Sequence, residues 1–461
     1  MNKTIKCCLA FLIPAIFFIS NTFSQEIDSL TIRHIFSYAL THTQGYETLR
    51  RLCKDMPGRL DGSEAAEKAE KFIYDILINL AADSVYRQKV TVPCWNPGNI
   101  AEAKIISSGK VTTAISVCAM GPSIPTSAGG IHAPVIEVNS IDELNSLSGD
   151  KVSGKIVFFN GVMDPSKINL MEAYSDAVKQ RVHGAAEAAK FGAVAALVRS
   201  VTNQVDDFPH TGVMRYEEGV EKIPAAAVST KDAELLSRLL KQDANLTCTI
   251  KMNCKSTGEK TAHNIIAEIK GIKNPGNIIL AGAHLDSWHL GQGAHDDGAG
   301  CIHVMDVLRI FNSLQIHPNN TIRVCLFADE EISQQGAKIY AESVRHKTEK
   351  YIAAIESDRG GMVPVGFTID AADAIVHRFV SFKKYFLPYL INRFEKGHGG
   401  TDINPLKVFN VPLIGFLPES QRYFEYHHSA NDTFEQVHLR ELQLGSAAVA
   451  SLVYLIDSYG L

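Results

Sequence analysis

Apolar positions recur at helical spacing from Ser63 to Leu80 (SEAAEKAEKFIYDILINL), with Ala, Phe, Ile and Leu three or four residues apart. Asp61-Gly62-Ser63 precedes that run and supplies a helix start signal. From Ser84 to Val92 the period drops to two, as in a half-exposed strand, and Pro93 marks its end. Between about 95 and 255 the texture changes. Short β-rich pieces (Val135–Val138, Lys155–Phe159, Val194–Val198, Ile223–Val228) alternate with helical patterns at Ala173–Phe191 and Asp232–Lys241. The titratable residues of this stretch form no ligand-like cluster, so it reads as a non-catalytic insertion.

From Asn264 onward strands and helices alternate. Asn264–Ile269 and Asn277–Ala281 predict a hairpin across Lys273-Asn274-Pro275-Gly276. Helix Gly298–Asn312, strand Thr321–Ala328, helix Gln334–Arg345 and strand Tyr351–Glu356 follow. A helix over Ala374–Phe394, kinked or broken near Pro388, then strand Pro412–Phe416 and helix Leu439–Tyr459 close the chain. The alternation predicts an α/β fold with a mixed, mostly parallel central sheet flanked by helices. Sites in such sheets lie beyond the carboxyl ends of the strands.

Composition narrows the class. With 46% hydrophobic and 21% charged residues, the 461-residue chain is globular, which excludes collagen-like and disordered proteins. A net charge of -5 with no basic block argues against nucleic acid as a partner. Residues 1–24 carry Lys3 and Lys6, then an apolar run from Cys7 to Ile19 and a polar end, the order of a secretory signal cleaved after Ser24. That apolar run is too short to span a bilayer, and no later stretch is long and apolar enough to do so. The protein is therefore expected to be exported, periplasmic or secreted. Seven cysteines remain, scattered and without a Cys-x-x-Cys pair, which leaves room for one or two bridges but not for a disulfide framework. Cys301 and Cys325 lie inside apolar patterns and are expected to be buried. The remaining chain divides into 25–94 and 256–461, two parts of one domain, and the insertion 95–255.

The chemistry gathers at strand ends. After Ile278–Ala281 comes His284-Leu-Asp286, and the next loop holds His295-Asp296-Asp297. Asp329-Glu330-Glu331 follows Val324–Ala328, and Glu356-Ser-Asp358 follows Ile352–Ile355. Beyond Leu413–Phe416 the chain reaches His427-His428 and Asp432. Carboxylates converging there would repel one another, and cations relieve that repulsion. Mixed carboxylate and imidazole donors suit zinc, with manganese or cobalt as substitutes, and the lack of cysteine fits a catalytic site. Two metals roughly 3.5–4 Å apart require a bridging carboxylate. One of two adjacent glutamates can ligate while the other acts as base, a choice that spacing alone leaves open.

Six motifs carry a resemblance: His284-Leu-Asp286-Ser-Trp, Gly293-Ala-His-Asp296-Asp297-Gly-Ala-Gly300, Glu330-Glu331, Glu356-Ser-Asp358, Gly400-Thr-Asp402 and His428-Ser-Ala-Asn-Asp432-Thr433. Together they resemble the co-catalytic di-zinc exopeptidases, which include leucyl aminopeptidases and glutamate carboxypeptidases. Gly58-Arg-Leu-Asp-Gly-Ser63 resembles that family's N-terminal segment, and Val152-Ser-Gly-Lys155-Ile-Val with Gly192-Ala-Val-Ala-Ala-Leu resembles a protease-associated domain. The resemblance implies one zinc on His284, Asp296 and Asp358 and a second on Asp296, Glu331 and His428, with Asp296 bridging. It makes Glu330 the general base, Asp286 the orienter of His284, and the Asp296–Asp297 peptide cis. His295 is not carried as a ligand, and Asp402 is expected to support the site loop. His427, Tyr423 and Tyr426 are candidate substrate contacts, the tyrosines as donors to a tetrahedral oxyanion. The implied reaction is hydrolysis of dipeptides or of terminal residues of short peptides by metal-activated water. Aminopeptidase activity is the nearest alternative; a single-zinc, glutaminyl-cyclase-like transferase and a metal-free binding protein are the others. An exposed apolar cap would be compatible with a homodimer.

Overall fold

The computed structural model describes residues 25–461 apart from Ala81 and Lys110. The secretory signal expected over residues 1–24 lies outside the described residues. Helices at residues 25–41, Gln44–Asp55 and Glu64–Asn79 open the fold. Ser63 caps the third by accepting from Ala66 N–H at 3.1 Å, and Glu64 and Glu67 lie in its first turn, where negative charge meets the positive end of the helix dipole. Strand β1 (Ser84–Asn96) then runs straight through Pro93, beyond its expected end. It pairs with a single neighbour, so one of its sides needs no N–H donors and tolerates proline.

The chain next builds a separate sheet from β2 (Ala101–Ile106), β3 (Thr112–Ile115), β4 (Val117–Ala119), β5 (Ile131–Val138), β6 (Ile156–Phe159), β7 (Ala195–Arg199), β8 (Ala225–Val228) and β9 (Thr247–Met252). Its order is β3-β2-β9-β5-β6-β7-β8-β4, with β5 to β8 parallel. Helices Leu170–Lys190 and Thr230–Gln242 accompany it.

The main sheet adds β10 (Lys255–Ile269), β11 (Asn274–His284), β12 (Asn320–Phe327), β13 (Lys350–Glu356), β14 (Pro364–Asp370), β15 (Arg393–Lys396) and β16 (Leu413–Pro418), in the order β1-β10-β12-β11-β13-β16-β14-β15. Strands β12, β11, β13 and β16 are mutually parallel, as the α/β pattern predicts. The expected hairpin does not form. Strand β12 enters between β10 and β11, antiparallel to the first and parallel to the second. The turn at Lys273–Gly276 reads as a hairpin locally, but the all-buried β12 wins the central position. The long helix expected over Ala374–Phe394 also differs. It stops at Phe386, Pro388 falls in a single tighter turn, Leu390 turns left-handed, and Arg393–Lys396 becomes edge strand β15.

One face of the main sheet packs on helices Ala299–Ser313 and Leu439–Tyr459 through Val304, Leu308, Leu452 and Ile456. The other face packs on helix Gln335–Arg345 through Ala337, Tyr340 and Val344. Contrary to the sequence reading, Leu439–Tyr459 has the length and mean hydropathy, 1.2, of a membrane span. It is buried in the core instead, the other setting for a helix that is apolar all round. The seven cysteines among the described residues are all buried and unbridged, Cys301 and Cys325 among them.

Candidate metal centre

The parallel strands aim their carboxyl ends at one spot. His284 is the last residue of β11, and Asp358 follows β13 by two residues. Glu330 and Glu331 follow β12, where Asp329 turns the chain at φ +62°. Asp296 sits between β11 and helix Ala299–Ser313, and His427 and His428 follow β16. Gly300 is required at the helix start: a Cβ there would lie 1.9 Å from the Ser357 carbonyl and 2.2 Å from an Asp297 oxygen.

Asp296 faces two ways. Its Oδ1 is 3.2 Å from His284 Nε2, which is also 3.4 Å from Asp358 Oδ1. Its Oδ2 is 3.2 Å from His428 Nε2, which is 3.1 Å from Glu331 Oε2. His427 Nε2 reaches the same Oδ2 at 3.7 Å, and its ring stacks on His428 with centroids 3.5 Å apart. Donor atoms of His284, Asp296 and Asp358 lie within 4.8 Å of one another, as do those of Asp296, His427 and His428. The Asp296–Asp297 peptide is cis.

Backbone bonds hold these groups. Asp432 accepts from the N–H of His295 at 2.8 Å and of Asp296 at 3.1 Å. Asp297 accepts from His284 N–H and Gly300 N–H. Asp286 lies with Oδ1 3.5 Å from His284 Nδ1, and its two oxygens accept from the N–H groups of Glu330 and Glu331 at 3.2 and 3.3 Å. It thus ties the first motif to the glutamate pair. Arg59, fully buried, donates to the carbonyls of Leu285, Gln292 and Gly293 and clamps the loop between His284 and Asp296.

The donor set fits divalent metal. Among the described residues, the ion-pair partners of Asp296, Glu331 and Asp358 are all histidines, so three carboxylates converge without lysine or arginine pairing them. Asp296 Oδ2 and Glu331 Oε1 are buried without a hydrogen bond. Asp296, Glu331 and His428 line a cavity of about 10 Å³, room for one water-sized particle. Burial opposes charge on His284, but the Asp358 charge and hydrogen bonds donated by its ring to Asp286, Asp296 and Asp358 outweigh it and raise its pKa. Glu330 is half-buried, and no described residue donates to its carboxylate. Burial holds its carboxyl well above the usual range; Asp358, Glu331 and Asp286 push the same way and His284 opposes them.

The remaining candidates separate. Tyr423 packs on His427 with centroids 5.2 Å apart, and the Asp296 and Asp358 charges act on its hydroxyl after burial has raised it. Tyr426 instead stacks on His295, and the charges acting on its hydroxyl are Arg422, Glu425 and Glu441. His295 accepts from Gly361 N–H and stays a packing residue. Asp402 is buried with neither oxygen hydrogen-bonded, while its neighbours Thr401 and Ile403 donate their N–H groups to Glu356.

The insert reaches the site, through residues that none of the motifs marks. His210 Nδ1 is 2.6 Å from the His427 carbonyl, and Arg181 Nη1 is 3.4 Å from His428 Nδ1. Asp432 and Arg59 stand inside the recognisable motifs, so that signal was present. Arg181 and His210 carry no local signal.

The chain resembles known proteins that bear on this arrangement. The family model described as Peptidase family M28 matches residues 264–453. Carboxypeptidase Q of Bos taurus is 32% identical over 433 residues, 94% of this chain and 88% of the relative. A peptidase M28 precursor from Shewanella amazonensis SB2B has a solved structure that superposes with a TM-score of 0.89 at 33% identity, covering 94% of this chain and 97% of its own. BSAP, a zinc aminopeptidase from Bacillus subtilis, shares the fold with a TM-score of 0.63 at 20% identity, over 90% of this chain and 94% of its own.

Proposed function

Because this chain belongs to peptidase family M28 and is a carboxypeptidase Q-like zinc metallopeptidase, we propose that it is an exported di-zinc exopeptidase acting on dipeptides and short peptides. The observation that carries this reading is Asp296, whose two oxygens face two separate sets of donors. His284 and Asp358 would hold one zinc, Glu331 and His428 the other, and Asp296 would bridge them. When bound, the zinc pair supplies Lewis acidity: it lowers the pKa of water and polarises the scissile carbonyl.

The chain's own residues do the rest. Glu330, to whose carboxylate no described residue donates, accepts the proton of the attacking water and returns it to the leaving amine. Asp286 fixes the Glu330–Glu331 backbone, so base and ligand keep a set spacing. The Tyr423 hydroxyl would donate to the oxyanion, and His427 would touch substrate. The inserted protease-associated sheet covers the cleft and limits it to short substrates. The glutaminyl-cyclase-like and binding-protein alternatives expect a disrupted first motif or lost ligands, whereas His284, Asp286 and all five ligand positions are present.

The test is cleavage of a dipeptide panel with free, amino-blocked and carboxyl-blocked ends, with and without chelator. The reading expects cleavage of free dipeptides, loss with chelator and recovery with zinc. Cleavage of amino-blocked substrates alone marks a carboxypeptidase, and of carboxyl-blocked substrates alone an aminopeptidase. Full activity after chelation would contradict it.

A further inference from the structure

We propose that the segment His210–Gly212 of the inserted sheet is a positioning element for one metal position only, that of Asp296, Glu331 and His428, because it sets the tautomer of His428. This rests on the di-zinc reading above. His428 has a left-handed backbone, φ +61°, a conformation a non-glycine residue keeps only where its surroundings enforce it. The enforcing contacts come from the insert. Thr211 N–H donates to the His428 carbonyl at 2.9 Å. A carbonyl only accepts, so His210 Nδ1, 2.6 Å from the His427 carbonyl, carries the proton of that bond.

The same segment faces the back of the His428 ring. Nδ1 lies 3.3 Å from the Thr211 carbonyl, which only accepts, and 3.4 Å from Arg181 Nη1, which only donates. A neutral imidazole has one N–H. If Nδ1–H donates to Thr211, Nε2 keeps its lone pair for metal. If Nδ1 accepts from Arg181, Nε2 carries the proton toward Glu331 and Asp296 and cannot ligate. The seam thus holds one partner for each state. Gly212 makes the approach possible: at φ +138°, a Cβ there would lie 2.7 Å from His428 Nδ1 and 2.5 Å from Arg181 Cζ. The segment is bolted to the insert, since Thr211 Oγ1 donates to the Ala119 carbonyl and His210 N–H to Ser200 Oγ, both at 2.8 Å. His284, by contrast, is backed by Asp286 and Asp297 from the main sheet's own connections. Seating of the insert therefore bears on one metal position and spares the other.

The experiment is stepwise zinc release from the full-length protein into a graded chelator, with wild type, Gly212→Ala and Arg181→Met. Glu331→Gln and Asp358→Asn identify which step belongs to which position, and melting of the zinc-free proteins reports folding. The wild type should release zinc in two steps. Gly212→Ala should weaken the step missing from Glu331→Gln by about 10–100-fold, the usual range for partners behind a ligand, and leave the other unmoved. Arg181→Met should tighten that same step. Loss of packing cannot produce opposite signs, so Arg181→Met alone decides if Gly212→Ala does not fold. Unchanged curves, equal weakening of both steps, or shifts of one sign would overturn the proposal. A wild type holding fewer than two zincs would overturn the di-zinc reading itself.

Discussion

The two halves of the cradle are built differently. On one side, His284 ends strand β11 and Asp358 follows β13, both supported by main-sheet connections through Asp286 and Asp297. On the other, His428 lies ten residues beyond β16 in a strained backbone, and two of its neighbours come from the insert. A ligand at a strand end inherits the order of a hydrogen-bonded ladder. A ligand on a distant loop takes its order from whatever packs behind it. The first half belongs to the peptidase sheet, the second to the seam between two sheets.

The largest expected effect removes the comparison altogether. Asp296→Ala takes a donor from both halves, so elemental analysis should find both zincs gone; two full-occupancy zincs would refute bridging. Glu330→Gln should leave both halves loaded while turnover falls by about 10²–10⁴-fold, and unchanged turnover would remove Glu330 as the base. Arg59→Met acts on the connection from the first half to Asp296, removing the guanidinium that donates to the carbonyls of Leu285, Gln292 and Gly293. Denaturant unfolding should show a loss of roughly 3 kcal/mol or more.

The smallest effect concerns the scaffold of the first half. His303 is fully buried, with Nδ1 2.9 Å from Ser357 Oγ, and burial lowers its pKa to about 3 from 6.5. The folded state therefore refuses a proton that the unfolded state accepts. His303 contributes its full stability above pH 6.5, and that contribution drains away as pH falls toward 3. His303→Gln should flatten the decline of Tm across that interval, and an unchanged slope would contradict the assignment.

The same division marks what could be read from the chain. Helix Leu439–Tyr459 and strands β11 to β13 announce themselves because burial imposes a period or an unbroken apolar run. Strand β14, the short β2 to β4 and strand β9 do not, since their neighbours rather than their own pattern make them strands. The false hairpin between β10 and β11 has the same origin: a turn is local, whereas the choice of β12 as the partner is not. At the site, the donor groups were legible because acidic and imidazole residues recur at strand ends. Arg181, His210 and Gly212 were not, because their role exists only once two sheets meet.

The central claim is that two zinc ions share Asp296. Anomalous diffraction at the zinc absorption edge, on crystals of the zinc-loaded protein, tests it most directly. The account predicts two peaks flanking the Asp296 carboxylate, one beside His284 and Asp358 and the other beside Glu331 and His428. A single peak, or two peaks with Asp296 turned away from either, would contradict it.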